Sequence, residues 1–202
     1  NLSTGHKNFV KWGPFEDGNI LDTDKLIMVL KKYMPECVMH FAAKSLVHES
    51  MVEQDLYKLN NIVGTKSVIK AIKSVDIQNF IFSSTAAVYG NQNQKITEND
   101  PLRPTSFYGI TKLEAENLIK TELTNHRYII LRYFNAAGAD PDLEIGEFHE
   151  PETHLIPTIS NNIIKHKVSK VFGNDFDTKD GTCVRDFIHV KDIALAHIKS
   201  ME

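Results

Sequence analysis

The chain reads as an α/β protein whose helices wind about both faces of a parallel sheet. Three stretches carry that reading. Cys37-Val38-Met39-His40-Phe41-Ala42-Ala43 and Tyr128-Ile129-Ile130-Leu131-Arg132-Tyr133-Phe134 are near-continuous apolar runs, as expected of strands covered on both sides. Between them lies Phe80-Ile81-Phe82, a short apolar strand running into Ser83-Ser84-Thr85. Helical patterns separate the three, and strand–helix alternation of this kind gives a parallel sheet with crossover helices.

In chain order, Asn1-Leu2-Ser3-Thr4-Gly5-His6 is polar and turn-rich, and Phe9-Val10-Lys11-Trp12 fits a short strand. A turn over Glu16–Ile20 leads to a helix that Asp22 or Thr23 can cap. Leu26, Ile27, Val29 and Leu30 form its buried side and Pro35 ends it. The first buried strand closes on Ala42 and Ala43, small enough either for economical packing or for a flat ligand to reach the backbone. A long helix is expected from about residue 51 to 75. Asn60-Asn61-Ile62-Val63-Gly64-Thr65 lowers its propensity, so a cap, a kink or a contact must compensate. Residues 91–105 form a loop, and a helix from Tyr108 buries Leu113, Ala115, Leu118 and Ile119. The pattern changes near residue 140. An acidic loop precedes a helix opening at Thr153–Pro157, Val171-Phe172-Gly173 fits a short strand, and a last helix spans Asp192–Glu202.

Composition narrows the function classes. A net charge of -3 with 24% charged residues leaves no electrostatic footprint for nucleic acid or a membrane surface. No apolar run approaches the length of a membrane span. Cys37 and Cys183 do not form a C-x-x-C pair, which points to a reducing cytosol. His149 and His154 lie among Glu147, Glu150 and Glu152, but metal-type spacing is absent, so no metal is expected.

Tyr108 and Lys112, four residues apart, share a helix face. An ammonium beside a phenol favours the phenolate and lowers the tyrosine pKa from its reference of about 10, so that it can take a hydroxyl proton near neutrality. Thr85, at the carboxyl end of a strand where open α/β sheets hold ligands, can share that hydrogen bond.

Tyr108-Gly109-Ile110-Thr111-Lys112 after a buried strand ending in Ser-Ser-Thr resembles the extended short-chain dehydrogenase/reductase family, the NAD-dependent epimerases and dehydratases of nucleotide sugars. So do His40-Phe41-Ala42-Ala43 with Ser45–Ser50, Asn60–Thr65, Glu98-x-x-Pro101-x-x-Pro104, and Leu131-Arg132-Tyr133-Phe134-Asn135-x-x-Gly138-Ala139. The resemblance implies a Rossmann-like sheet. It also implies an upstream strand and Gly-rich phosphate turn, and no G-x-x-G-x-x-G occurs here. The chain is therefore expected to be a fragment lacking both termini, and to bind NAD poorly or aggregate alone. Residues 1–139 would form a partial NAD-binding domain and residues 140–202 a partial nucleotide-sugar lobe.

The resemblance assigns Tyr108 as base and acid, Lys112 to the nicotinamide ribose and Thr85 to the reacting hydroxyl. Asn19 and Ile20 would meet adenine. Phe41, Ala42, Ala43, Ser45 and Asn60 would line the cofactor, and Tyr133 and Phe134 would flank the nicotinamide. Asn135, His154, Leu155, Phe172 and Arg185 would hold the nucleotide sugar, Arg185 through its planar fork on a phosphate. Dehydratases of the family carry an acid and a base directly after the strand-end hydroxyl, where this chain has Ala86 and Ala87. A reaction of hydride out and hydride back fits best, namely interconversion of UDP-glucose and UDP-galactose at C4 with retained NAD. The alternatives are epimerisation of a UDP-N-acetylhexosamine or UDP-pentose, or a non-catalytic piece of such an enzyme. Family members usually form homodimers through the long helix and the Tyr108 helix.

Overall fold

The structure, a computed structural model, describes residues 1–92 and 94–202, so Asn93, in the expected loop 91–105, lies outside the described residues. The backbone divides into two compact units, Asn1–Tyr133 with His197–Glu202, and Phe134–Ala196. The division falls after Tyr133, whereas the sequence placed it after residue 139.

The first unit is built on β1 (Cys37–His40), β2 (Asn79–Thr85) and β3 (Arg127–Tyr133), hydrogen-bonded in that order and all parallel. Parallel neighbours need crossovers, and helices supply them. Between β1 and β2 run α2 (Val47–Val52), α3 (Gln54–Tyr57), a π-helical segment (Lys58–Val63) and α4 (Gly64–Val75). Between β2 and β3 runs α5 (Phe107–Glu122). α1 (Thr23–Tyr33) precedes β1, and its N-cap Asp22 accepts the Lys25 N–H at 3.0 Å. Val68, Ile69 and Ile72 of α4 and Ala115 and Ile119 of α5 close with Leu123 over Phe80 and Phe82 of β2, and Leu26 and Leu30 of α1 pack against the cluster. Each set recurs at three or four residues, the spacing that puts side chains on one helix face. Of the three strands only β2 is buried almost throughout, because β1 and β3 are the sheet's edges.

The second unit holds a parallel ladder of β4 (Asn135–Ala137) and β5 (Phe187–His189), together with α6 (Leu155–Ile164) and the start of α7 (Val190–Lys199). Among the described residues, no helix is long and apolar enough to cross a membrane.

Three expectations are corrected. The stretch Phe9–Trp12 makes no strand. A 3-10 turn occupies Lys7–Phe9, and Trp12 is 70% exposed, so the stretch lacks the burial that holds a strand in a sheet. Val171-Phe172-Gly173 is irregular, with Phe172 93% exposed, so no ladder forms to hold it extended. The expected helix 51–75 is broken at Glu53 and widened into the π segment, which is where the two asparagines sit.

Candidate active site

The carboxyl ends of β2 and β3 gather the first group of residues. Thr85 ends β2, in register with Tyr133 of β3, and its Oγ1 accepts the Ala87 N–H at 3.1 Å to start a 3-10 turn over Ala86–Tyr89. Tyr108 lies in the first turn of α5. That helix is capped by Ser106, whose hydroxyl accepts the Gly109 N–H at 3.1 Å. A Cβ at Gly109 would lie 2.8 Å from the Ala87 carbonyl oxygen, so the close approach that brings Tyr108 to the turn after Thr85 requires glycine. The Tyr108 N–H donates to Ser50 Oγ at 3.0 Å, and the phenol hydrogen-bonds Thr85.

Lys112 follows one turn later, 3% exposed. Its Nζ donates to the Ser83 carbonyl at 2.6 Å and stands 4.1 Å from the centroid of the Phe82 ring. Burial pushes its pKa down to about 7, against the pull of Glu116. Tyr108 moves the opposite way. Burial pushes the phenol up to about 12, opposed by the Thr85 hydrogen bond. The expectation that Lys112 lowers the Tyr108 pKa is therefore corrected. The ammonium is directed at a backbone carbonyl, and desolvation of the phenolate dominates. Tyr133 Oη pairs with Ser83 Oγ beside this group.

A second group lies at the end of β1. A cavity of about 220 Å³ is lined by Ile20, Ala42, Ala43 and Asn60 together with Lys44 and the Ser3–Gly5 stretch. Four residues assigned to a cofactor thus share one concavity beyond a strand end, where such sheets place ligands. Of the other residues assigned there, Phe41 is 54% exposed, with its ring 4.7 Å from that of His197, and Ser45 is exposed. Asn19 spends its amide oxygen on the Leu21 N–H at 3.0 Å.

The π segment separates the two asparagines. Asn60 faces the cavity and donates to Asn61 Oδ1 at 3.0 Å. Asn61, 2% exposed, accepts the Lys44 N–H at 2.8 Å and donates to the Lys44 carbonyl at 2.9 Å and to Thr111 Oγ1 at 3.1 Å. It joins the loop after β1 to α5, a role the sequence reading did not give it.

A buried ion pair was also missed. Glu116, one turn past Lys112 and 0% exposed, accepts Ser84 Oγ at 2.6 Å and Arg132 Nε at 2.9 Å on Oε1, and Arg132 Nη2 at 2.6 Å on Oε2. Arg132 Nη1 donates to Tyr89 Oη at 2.8 Å. Burial raises the carboxyl, but the Arg132 and Ser84 hydrogen bonds outweigh it and hold the pKa below the ordinary carboxylate range. The signal was available: an arginine inside an apolar strand needs a partner, and Glu116 lies at i+4 from Lys112 on the helix face that meets that strand.

The second unit holds the remaining assigned residues. Phe134 is 44% exposed. Asn135 Nδ2 donates to the Asp186 carbonyl at 2.7 Å, which puts it beside the residue that follows Arg185. Arg185 is exposed and donates to the Val184 carbonyl at 2.8 Å. His154 is the N-cap residue of α6, Leu155 its first residue, and Phe172 stands in solvent.

Parallel strands ending in a threonine, with a tyrosine and a lysine one helical turn apart over that end, define a Rossmann-type protein of the dehydrogenase/reductase class. A model of the NAD dependent epimerase/dehydratase family matches residues 2–202, and the chain belongs to that family. Among curated proteins it is 45% identical to a UDP-glucose 4-epimerase of Rhizobium meliloti, over 100% of this chain and 63% of the relative. Among solved structures it matches a Brucella ovis UDP-glucose 4-epimerase in complex with NAD, with TM-score 0.95, 45% identity, and coverage of 100% and 63%. A Bifidobacterium longum UDP-glucose 4-epimerase in complex with NAD+ and UDP matches with TM-score 0.84 and 33% identity over 91% of this chain and 57% of that one. The chain thus spans somewhat less than two thirds of the length of these relatives.

Proposed function

We propose that this chain belongs to an enzyme that interconverts UDP-glucose and UDP-galactose by oxidation and re-reduction at sugar C4. The observation that carries the reading is the meeting of Tyr108, Thr85 and Lys112 at the β2 end, with Ala86 and Ala87 next to Thr85, where neither methyl can transfer a proton. Removal and return of hydride needs one proton shuttle, whereas elimination needs a further acid and base.

NAD fits the residues present: the cavity beyond β1 is walled by Ala42 and Ala43, whose small side chains leave the backbone open to a flat ring, and Ile20 and Asn60 complete it. When bound, NAD would supply the hydride acceptor and donor for C4, and the positive charge of its oxidised ring would favour the Tyr108 phenolate. Tyr108 takes the proton of the 4-hydroxyl and gives it back to the same oxygen, and C4 is inverted because the 4-keto sugar presents its opposite face to the returning hydride. Thr85 orients that hydroxyl through the hydrogen bond it already makes with the phenol. On this reading Lys112 would hold the nicotinamide ribose, and Tyr133 and Phe134 would serve the nicotinamide. Phe41, Ser45 and Asn19 extend the cofactor wall. Asn135, Arg185, His154, Leu155 and Phe172 hold the nucleotide sugar. On this reading, residues 1–139 serve the cofactor and residues 140–202 the sugar nucleotide.

A homodimer through the segment 47–63 and α5 is part of the proposal. Val52 (72% exposed), Leu59, Val63 and, on α5, Ile110 present apolar side chains there. A cytosolic setting is supported by the free thiols of Cys37 and Cys183.

The test is proton NMR of UDP-galactose incubated, without added NAD, with a protein carrying this chain. UDP-glucose should appear, and Tyr108→Phe should slow its appearance by about 10²–10⁴-fold. A folded, NAD-containing protein that leaves UDP-galactose unchanged overturns the assignment, and turnover of a UDP-N-acetylhexosamine or UDP-pentose would redirect it.

A further inference from the structure

We infer that Glu147, His149, Glu152 and His154 form a binding site for one divalent transition-metal ion of the zinc type. Their spacing along the chain matches no metal motif, yet the loop folds back so that one ligand atom from each lies within 4.8 Å of all the others. His149 Nδ1 is 3.5 Å from Glu147 Oε1 and 3.5 Å from Glu152 Oε2. Four ligands at tetrahedral bonds of about 2.1 Å stand about 3.4 Å from one another, so these separations suit a shared ion. His154 Nδ1 pairs with Glu147 Oε1 and lies 3.9 Å from Glu152 Oε1. The two imidazole rings sit 4.7 Å apart at 86°, which lets both Nδ1 atoms serve one centre without stacking.

The carboxylates are prepared for this use. Glu152 Oε1 accepts the backbone N–H groups of Thr153 and His154, each at 2.8 Å, which fixes the carboxylate plane and leaves Oε2 toward His149. Backbone hydrogen bonds to a ligating carboxylate hold it in the orientation the metal needs. The side chains of Glu147 and Glu152 are only 19% and 16% exposed, so an ion meets carboxylates that have already lost much of their water. Two imidazoles with two carboxylates suit zinc and its neighbours in the first transition row. Calcium and magnesium prefer oxygen alone. An ion here clamps the acidic loop to His154, the N-cap residue of α6, while leaving His154 Nε2 unused by the metal.

The alternative is a cluster of histidine–glutamate ion pairs with no ion, and calorimetric titration separates the two. Protein stripped with a chelator is titrated with zinc chloride. One equivalent should bind saturably, and His149→Gln and Glu152→Gln should each weaken binding at least about 10-fold. His149 is 41% exposed, so its replacement leaves the fold intact. In parallel, ring-proton NMR should show two of the nine histidines shifting on zinc addition, both signals being assigned by the His149→Gln and His154→Gln variants. Absence of saturable binding, or equal affinity in the wild type and both calorimetric variants, overturns the site. It stands or falls independently of the proposed epimerisation.

Discussion

The two units solve the burial problem to very different degrees. In the first, Ile72, Val88, Ala115, Ile119 and Leu123 are all 0% exposed. In the second, Val168 is 90% exposed, Phe172 93%, Val184 75% and Ile164 74%, and Ile193 is its one buried apolar side chain among the described residues. Composition does not explain the contrast, since both are rich in Ile, Val and Phe. Architecture does. A three-stranded parallel sheet with two helical crossovers offers a face on which α1, α4 and α5 can all land. A two-stranded ladder of three residues a side offers almost none, and such ladders are marginal by themselves.

That contrast can be tested by perturbing each unit, and the largest effect is expected at Glu116. Its carboxylate is wholly buried with Arg132, so Glu116→Ala leaves an unpaired guanidinium and should destabilise the first unit by about 3–5 kcal/mol in urea unfolding. A loss below about 1 kcal/mol would mean that the pair behaves as a surface bridge.

The next effect concerns Lys112. Its folded pKa, about 7, lies below the unfolded value of about 10.4, so between these values the unfolded chain binds more protons and stability must rise with pH. The rise should be at most about 1.4 kcal/mol per pH unit between pH about 7 and 9, and Lys112→Met should flatten it. Tyr108 does not confound this window. Its raised pKa costs stability only as the pH climbs past the unfolded tyrosine value, near 10. An unchanged slope in the variant would assign the dependence elsewhere.

The smallest effect belongs to the second unit. Phe172→Ser should change stability by no more than about 0.5 kcal/mol, because so exposed a ring contributes almost no buried area to unfolding. A larger loss in urea unfolding would show that Phe172 is covered in solution.

The same contrast explains what could be read from the residues beforehand. The three strands of the first unit, the Asp22 cap, and the meeting of Thr85 with Tyr108 follow from local pattern, because in a parallel sheet apolar runs and helix faces have one place to go. In the expected helix 51–75 the low propensity of Asn60–Thr65 signals a kink or a contact, but the partners of Asn61 were not legible, because Lys44 and Thr111 are far away in sequence. The Tyr108 pKa was misread for a related reason. Spacing places Lys112 on the right face, but not the Ser83 carbonyl that takes its proton donors. The gathering of Glu147, His149, Glu152 and His154 depends on a loop returning on itself, which no periodicity encodes. Val171–Gly173 has strand-like residues but lacks a ladder to join.

The π segment at Lys58–Val63 has one more consequence, for how the chain tolerates change in length. A turn that accommodates an extra residue advances everything after it by about 100° relative to an uninterrupted α-helix. Val68, Ile69 and Ile72 meet the sheet only at that offset phase. Substitutions at exposed positions of the segment, such as Lys58 and Leu59, are local events. Deleting a single residue there would instead turn the apolar stripe of α4 away from β2, while Asn61 lost its hold on Lys44. In these six positions the count of residues is constrained alongside the identity of Asn61.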